Sequence, residues 1–393
     1  MNPASAVKMA LTWSVGHYHG WGVYGLNLVL AMLRRGIRPR LLQPPGRLDL
    51  DPLQARLLIP VLEDSTDFIR VRQLHPERLI RAEDTIPLIH SDGRLVFNAI
   101  RFAGVNPVGI TFFEYADLDS DGIHQARTLS GIIVGSRWNE RILKKKYGLN
   151  NVAYVMQGVE TSQFFPSGRR GLLSERFVVF SGGKLEFRKG QDIVIETFRR
   201  FHARHPEALL LTAWSNAWVE AESRFPDRWV AGFPEEGGDG LHRWIGQHLP
   251  EGSFLDVGMV ANPRMGDILR EVDVALFPNR CEGGTNLVAM ECMATGVPVI
   301  LSANTGHLDL IDTDRCVIAW QQQRVLSPVT GKELTDWGES TVEECLEGLE
   351  RLHRDRQWGR DIGHRGHRFM ADHPWGRQCD QVLNRILMTN PVD

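Results

Sequence analysis

The sequence predicts an α/β protein of two doubly wound parallel-sheet domains, and three observations carry that prediction. The chain has 393 residues, too many for one ordinary hydrophobic core and a fit to two domains. Short apolar runs alternate with helix-length segments in two successive series, the pattern of parallel sheets covered by helices on both faces. Between the series, Phe164 to Leu173 (FFPSGRRGLL) interrupts the alternation with Pro, Gly and Ser and reads as a linker. The expected domains are residues 1–165 and 166–373, with 374–393 a final helical segment set off by Pro374.

In the first series, Met9 to Val15 is a strand, Leu26 to Arg35 a helix ended by Gly36, and Ile37 to Leu42 a second strand. Ile86 to Ile89, Val108 to Phe112 and Gly131 to Val134 are short apolar runs of the kind buried on both faces. Ser136 caps a helix from Trp138 to Tyr147, and Val152 to Met156 follows as a strand. The second series opens with the strand Phe177 to Ser181. It continues with the helix Gln191 to Arg204, the strand Ala208 to Thr212 and a loop-rich stretch from Ala231 to Gly240.

The most informative segment is Asp273 to Ser302, DVALFPNRCEGGTNLVAMECMATGVPVILS. Val274 to Phe277 is a buried-type strand closed by Pro278, and Gly283-Gly284 leaves bare backbone for a ligand. Asn286 caps a helix to Thr295, Gly296 supplies its left-handed stop, and Val297 to Leu301 is the next strand. A helix N-terminus behind a glycine turn suits phosphate. Glu291, one turn in, suits the two hydroxyls of a ribose diol, and Glu282 brackets the turn from the other side. The competing reading is a plain βαβ unit with two solvated glutamates.

A second motif, Phe180 to Gly190 (FSGGKLEFRKG), places Lys184 at the carboxyl end of a strand and Lys189 at the next helix start. Two cations across such a loop can converge on one diphosphate, each charge-assisted contact contributing about 1.5–3 kcal/mol. Arg188 is a further cation of the same loop. A solvated basic turn is the alternative. Near the N-terminus, Gly20-Trp21-Gly22-Val23-Tyr24-Gly25 matches G-x-G-x-x-G. A dinucleotide fingerprint would follow its strand directly and carry an acid at the end of the second strand. Here Gly16 to His19 intervene and Asp49 comes too late, so the context speaks against a nicotinamide or flavin role. His17 and His19 lack a third ligand for a metal.

EGGTNLVAMECMATGVPVI resembles the donor-site signature of family 4 retaining glycosyltransferases, which have two Rossmann-like domains facing each other across a cleft, the GT-B fold. The resemblance implies that Glu282 contacts the donor sugar and that Glu291 holds the ribose. It also implies that Gly283, Gly284, Thr285, Asn286 and Leu287 line the donor. The family has seven residues between its glutamates, whereas this chain has eight, Gly283 through Met290. The family's G-R-L, three residues, then K-G appears with Lys184 in the arginine position and Lys189 as the lysine, which keeps the charge and loses the bidentate fork. SVGHYHGWGVYGLNLVLAML resembles the family's first glycine turn, so Gly20 and Gly22 are expected at the donor diphosphate. The usual N-G-V-D stands here as Gln157-Gly158-Val159-Glu160. In the family the last helix crosses back onto the first domain, and Trp375 fits the aromatic found there.

The implied activity is retaining, metal-independent sugar transfer from a nucleotide-diphosphate donor, of hexosyltransferase type, in glycan or glycolipid synthesis. The leaving phosphate helps to deprotonate the acceptor, a glycan, lipid-linked or small-molecule hydroxyl. The family's first-domain histidine is missing, because the corresponding strand ends Ile110-Thr111-Phe112-Phe113-Glu114. His90 and Glu114 are the candidates to contact donor or acceptor in its place. The D-x-D spacings at Asp117, Asp119 and Asp121 read as a solvated loop rather than a metal site. A catalytically silent nucleotide-sugar-binding protein and a nucleotide-sugar epimerase of the same fold are the alternatives.

Composition agrees with this class. No apolar run approaches the ~20 residues of a membrane helix, and the N-terminal stretch lacks the apolar core of a signal peptide. All five cysteines lie in the second half without a C-x-x-C pair, which argues for reduced thiols in a cytoplasm and against a zinc site. No cofactor is expected beyond the donor itself. Residues 1–165 hold 19 Lys+Arg against 15 Asp+Glu, so the first domain is mildly basic in a chain of net charge −3. Its densest piece, Arg141 to Lys146 (RILKKK), is expected as a solvated helix face. Four cations are too few for a nucleic-acid surface and allow at most a weak peripheral membrane contact.

Overall fold

The computed structural model describes residues 8–97, 101–215, 225–226, 228–234 and 239–389. The stretches 1–7 and 235–238, on which parts of the N-terminal and loop-rich readings fall, lie outside the described residues. The chain forms two compact units. Unit 1 is Met1–Gly158, Ala261–Pro263 and Trp375–Asp393; unit 2 is Val159–Val260 and Arg264–Pro374. The break at 158/159 precedes the expected linker. Arg169 pairs with Asp273 at 2.9 Å, and Arg170 N donates to Glu271 Oε1 at 2.7 Å, so that stretch is anchored within unit 2.

Unit 1 runs β1 (Lys8–Leu11), α1 (Gly20–Arg34), β2 (Arg38–Leu41), α2 (Pro52–Leu74), β3 (Ile80–Arg81), β4 (Thr85–His90), β5 (Phe102–Ala103), β6 (Val108–Thr111), α3 (Ser120–Thr128), β7 (Gly131–Val134), α4 (Arg137–Arg141) and β8 (Val152–Tyr154). Six strands form one parallel sheet in the order β2-β1-β4-β6-β7-β8. The side chains of the central strands β6 and β7 are buried on both faces, which is why the sequence shows short continuous apolar runs there rather than alternation. After α4 the chain continues in a π-helical turn, Ile142–Lys146, so the expected single helix is split. The helix α2 has no counterpart among the elements expected from sequence. It starts at a capping box, with Asp51 accepting from Leu53 N and Gln54 N at 2.8 Å and Gln54 returning to Asp51 N.

Unit 2 contains β9 (Phe177–Lys184), α5 (Gln191–His202), β10 (Ala208–Ser215), α6 (Gly240–Gly246), β11 (Phe254–Asp256), α7 (Asn262–Leu269) from Arg264 onward, β12 (Val274–Phe277), α8 (Leu287–Ala294), β13 (Val299–Ser302) and β14 (Val317–Ala319). A hairpin of β15 (Gln322–Leu326) and β16 (Glu333–Ser340) follows, then α9 (Val342–Arg354) and α10 (Arg356–Ala371). The sheet order is β11-β10-β9-β12-β13-β14, all parallel. In chain order this is 3-2-1-4-5-6, the Rossmann arrangement, whose switch point falls between β9 and β12. The last helix, α11 (Trp375–Thr389), belongs to unit 1. There Trp375 packs on Tyr24 with ring centroids 5.8 Å apart, and Arg34 pairs with Asp380 at 2.8 Å.

Candidate active site

Ligands of a doubly wound sheet bind beyond the carboxyl ends of the strands where the strand order reverses. In unit 2 that point lies between β9 and β12, and the two sequence motifs emerge there side by side. Lys184 ends β9, and its carbonyl accepts from Gln191 Nε2 at 2.6 Å, which ties the strand end to α5. Phe187–Lys189 forms a 3-10 turn closed by Gly190 at φ +70. A β-carbon at Gly190 would stand 2.4 Å from Pro278 O, so glycine is required by the approach of the two loops as well as by its φ.

Glu282 sits between the motifs. Its side chain is buried, and its carboxylate accepts from Lys189 Nζ at 2.5 Å, from Arg188 Nη1 at 3.2 Å and from Asn279 Nδ2. Burial works against its ionisation, but Lys189 and Arg188 outweigh burial and hold its pKa at about 2. Glu282 is therefore a permanent anion at neutral pH and no proton donor. Arg188 also pairs with Glu186 at 2.7 Å. Burial raises the Glu186 pKa less than Arg188, Lys184 and Lys189 lower it. The predicted basic turn is thus a compact mosaic of three cations and two carboxylates.

Behind Glu282 the loop is pinned. Its N–H donates to Thr305 Oγ1 at 2.8 Å, and its carbonyl accepts from Gly306 N at 2.9 Å. A β-carbon on Gly306 would lie 1.6 Å from Gly284 O. Two non-glycine residues flank this contact in left-handed conformations, Asn286 at φ 65 and Thr305 at φ 37. For β-branched threonine such a backbone is strained, and strain of this kind concentrates at functional loops.

Asn286 caps α8 as expected, its side chain accepting from Ala289 N. Its Nδ2 donates to His307 Nε2 at 3.1 Å; His307 Nδ1 then donates to Ser302 Oγ at 3.0 Å, and Ser302 Oγ donates to Asn279 O at 2.6 Å. This chain of hydrogen bonds needs the neutral imidazole with its proton on Nδ1. Burial supplies that state, lowering the His307 pKa to about 4. Gly283, Gly284, Thr285 and Leu287 stand on the same turn, and Glu291 is buried one turn into α8. Burial of both Glu282 and Glu291 rules out the alternative of two solvated glutamates.

In unit 1 the corresponding switch point lies between β1 and β4. His90 ends β4, and its Nδ1 lies 2.9 Å from Thr12 Oγ1, just beyond β1. Burial among Trp13 and Trp21 lowers its pKa. Glu114 N donates to Gly93 O at 2.8 Å, and the Glu114 carboxylate lies against Gly93, in the loop after β4. The glycine motif is corrected in kind. Gly20, Gly22 and Gly25 are the opening turns of α1, not a loop; the loop is Ser14 to His19. Gly22 meets a need inside the chain, because its β-carbon would be 3.0 Å from Gly16 N and O. Asp117 and Asp119 are exposed in the loop before α3, as expected; within it Asp119 caps α3 by accepting from Asp121 N at 2.8 Å, and Asp117 pairs with Lys146 at 2.5 Å.

Sequence reasoning missed the support beneath the site. Arg280 is fully buried, with Nη1 and Nη2 on Asp192 at 2.9 and 2.7 Å, Nε on Glu339 at 2.7 Å and its guanidinium 4.2 Å from the Phe187 ring. It stands two residues before Glu282, yet no periodicity marks it, because its partners come from α5 and β16.

Parallel doubly wound sheets, with an anionic glycine turn and a cationic turn meeting at one switch point, define a glycosyltransferase of the GT-B class. A family model described as "Family 4 Glycosyltransferase in conflict systems" matches residues 132–382, and the chain belongs to that family. Mannosylfructose-phosphate synthase of Agrobacterium fabrum is 26% identical over 184 residues, which is 44% of this chain and 38% of that protein. The match thus spans well under half of that relative's length. Sucrose-phosphate synthase from Thermosynechococcus elongatus superposes with a TM-score of 0.63 at 19% identity, covering 97% of this chain and 99% of the other. Anabaena HepE in complex with UDP and glucose gives 0.63 at 13% identity, covering 97% and 100%. These two structures share the fold.

Proposed function

We propose that the chain is a retaining, metal-independent glycosyltransferase that passes a hexose from a nucleotide-diphosphate sugar to a sugar hydroxyl. The observation that carries this reading is the contact of Lys189 and Arg188 with Glu282 at the switch point of unit 2. A diphosphate offers those cations more negative charge than one carboxylate does. On donor entry Lys189, Arg188 and Lys184 turn toward the phosphates, and Glu282 is released to accept hydroxyls of the sugar. Donor binding and sugar alignment are then one event.

Bond breaking leaves charge on the nucleotide diphosphate, and fixed cations with the amino end of α8 stabilise it without reorganisation. Glu282, ionised at neutral pH, does not protonate the leaving group; the departing phosphate takes the acceptor proton, which keeps attack on the face being vacated. Glu291 receives the ribose diol. Metal independence is supported by the engagement of Asp117 and Asp119 elsewhere in unit 1. HepE was crystallised with UDP and with UDP-glucose, which favours uridine as the donor base here. The names of the two synthases above favour a sugar acceptor, with His90 and Glu114 as candidates to meet it. The chain's role is in glycan synthesis in the cytoplasm. No helix among the described residues is long and apolar enough to cross a membrane. Lys144 and Lys146 are paired with Glu140 and Asp117, so the basic run is not read as a membrane contact.

The test is incubation with UDP-glucose and a pool of sugar acceptors in EDTA, following UDP release and the anomeric configuration of the product by NMR. The expected result is an α-linked product from the α-linked donor. A β-linked product would overturn retention, and a strict requirement for added Mg²⁺ would overturn metal independence. UDP binding without release or transfer would make the chain a donor-binding protein instead.

A further inference from the structure

We propose that unit 2 carries a zinc-type divalent cation site at the amino ends of its strands, made by His205, Glu207 and His353. His205 and Glu207 lie in the turn between α5 and β10, and His353 lies in the last turn of α9. One nitrogen of each histidine and one carboxylate oxygen of Glu207 lie within 4.8 Å of one another.

Proton positions single out the atoms that face the site. His205 Nε2 is 2.8 Å from Glu350 Oε2; a carboxylate only accepts, so that nitrogen carries the hydrogen. In the neutral ring Nδ1 is then a bare lone pair, and it faces Glu207 Oε1 at 3.9 Å, another lone pair. His353 Nε2 donates to the same oxygen at 2.8 Å, so to ligate a metal that ring must carry its hydrogen on Nδ1 instead. Two acceptors aimed at each other across such a gap are poorly matched unless a cation stands between them. A carboxylate that fixes the tautomer through the outer nitrogen, leaving the inner one to ligate, is the usual second layer of a histidine metal site. Here Glu350 takes that part, itself held by Arg204 at 3.1 Å.

The rings are set in advance. His205 and His353 have centroids 4.0 Å apart, and Phe201 and Phe177, both buried, pack against them at 4.6 and 4.9 Å. Two nitrogens and one carboxylate suit Zn²⁺ with water in the fourth position. Bonds of about 2.0–2.1 Å put tetrahedral ligands roughly 3.4 Å apart, so the His205–Glu207 pair at 3.9 Å must close and the His353–Glu207 pair at 2.8 Å must open, each by roughly half an ångström. Glu207, half exposed, has the freedom to do that. None of the five buried cysteines takes part. The sequence offers only the spacings H-x-E and E-x-x-H, 143 positions apart from Glu207 to Glu350 (350 − 207), which is why they went unread. The site lies at the opposite end of the sheet from Lys184 and Glu282, and its role is to tie the α5–β10 turn to α9.

The test uses tag-free full-length protein stripped with EDTA and titrated with Zn²⁺ alone against a zinc-responsive indicator. We expect one ion per chain at micromolar affinity or tighter, with a raised Tm. The double variant His205→Gln/His353→Gln should lose at least 100-fold in affinity while keeping its far-UV circular dichroism. Glu350→Gln, which touches no ion, should lose about 10–100-fold. Substoichiometric binding, or equal affinity in the folded double variant, would overturn the proposal. So would an unchanged Tm on adding zinc.

Discussion

Lys189 Nζ donates to Glu282 Oε1 at 2.5 Å. The sequence motifs assign these two residues to different parts of a donor, the diphosphate and the sugar, yet in the folded chain they are each other's partners. The contact makes the cationic loop and the acidic loop a single electrostatic unit.

Lys189→Ala should reduce sugar transfer about 100-fold, the loss typical of removing one preorganised charge that stabilises a transition state. Because the same change removes a partner of Glu282, UDP affinity should fall while Glu282 keeps Arg188 and Asn279. Lys189→Arg should recover part of the rate. Steady-state kinetics with UDP-glucose, paired with calorimetric UDP titration, reads both.

Glu291→Ala should cost about 100-fold in kcat/KM, whereas Glu291→Gln, which keeps one acceptor for a diol, should cost less. If Glu291 receives the ribose, a donor with a 2′-deoxyribose should lose much of its advantage with the wild type and little with the alanine variant. Equal discrimination by both proteins would remove Glu291 from that role.

Acid should weaken unit 2 in two stages. His307 has a folded pKa of about 4, below the ordinary 6.5. The unfolded chain therefore binds that proton first, and the stabilisation present above 6.5 is lost as pH falls from 6.5 through 4. Glu282, at about 2 against 4.5, contributes stability that is complete above 4.5 and lost as pH falls toward 2. Urea unfolding midpoints should be flat from pH 7 to 8 and decline below 6.5. His307→Gln should flatten the upper part of that decline and leave the lower part.

Arg280→Met should destabilise unit 2 by about 3–5 kcal/mol, because it leaves Asp192 buried without its bidentate partner. The double variant Arg280→Met/Asp192→Leu should recover much of the loss, since replacing a whole buried pair by apolar groups is often neutral. Chemical denaturation of the two variants side by side measures the difference.

Gly306→Ala should displace the acidic turn, because the new β-carbon would overlap Gly284 O at 1.6 Å. Overpacking of this kind costs about 1–3 kcal/mol. UDP-glucose binding should weaken at least tenfold, while Gly36→Ala, at a glycine with φ +69 and open surroundings, should cost stability without affecting the donor.

Local rules determined much of this protein. Strands buried on both faces announce themselves as short apolar runs, so Val108–Thr111, Gly131–Val134 and Val274–Phe277 were legible from composition alone. Asn286 and Gly296 marked the ends of α8 because capping and left-handed stops depend on residue type at a single position. The two donor motifs were legible for the same reason: each is a strand end, a turn and a helix start, contiguous in sequence. The helix α2 is also locally encoded, by Asp51-Pro52 and Gln54, although Pro60 lies in its interior.

Tertiary structure alone decided which side chains answer one another. Nothing adjacent in sequence tells that Lys189 and Arg188 are held by Glu282, 93 and 94 positions away. Nor does it tell that Arg280 is sealed between Asp192 and Glu339, or that Gly22 is glycine for the sake of Gly16. The physical reason is that propensity and capping act over one helical turn, whereas charge pairing and close packing act through space, between loops that meet only when parallel strands align. The sequence by itself determined the elements and the two chemical motifs; the alignment of β9 with β12 turned those motifs into one site.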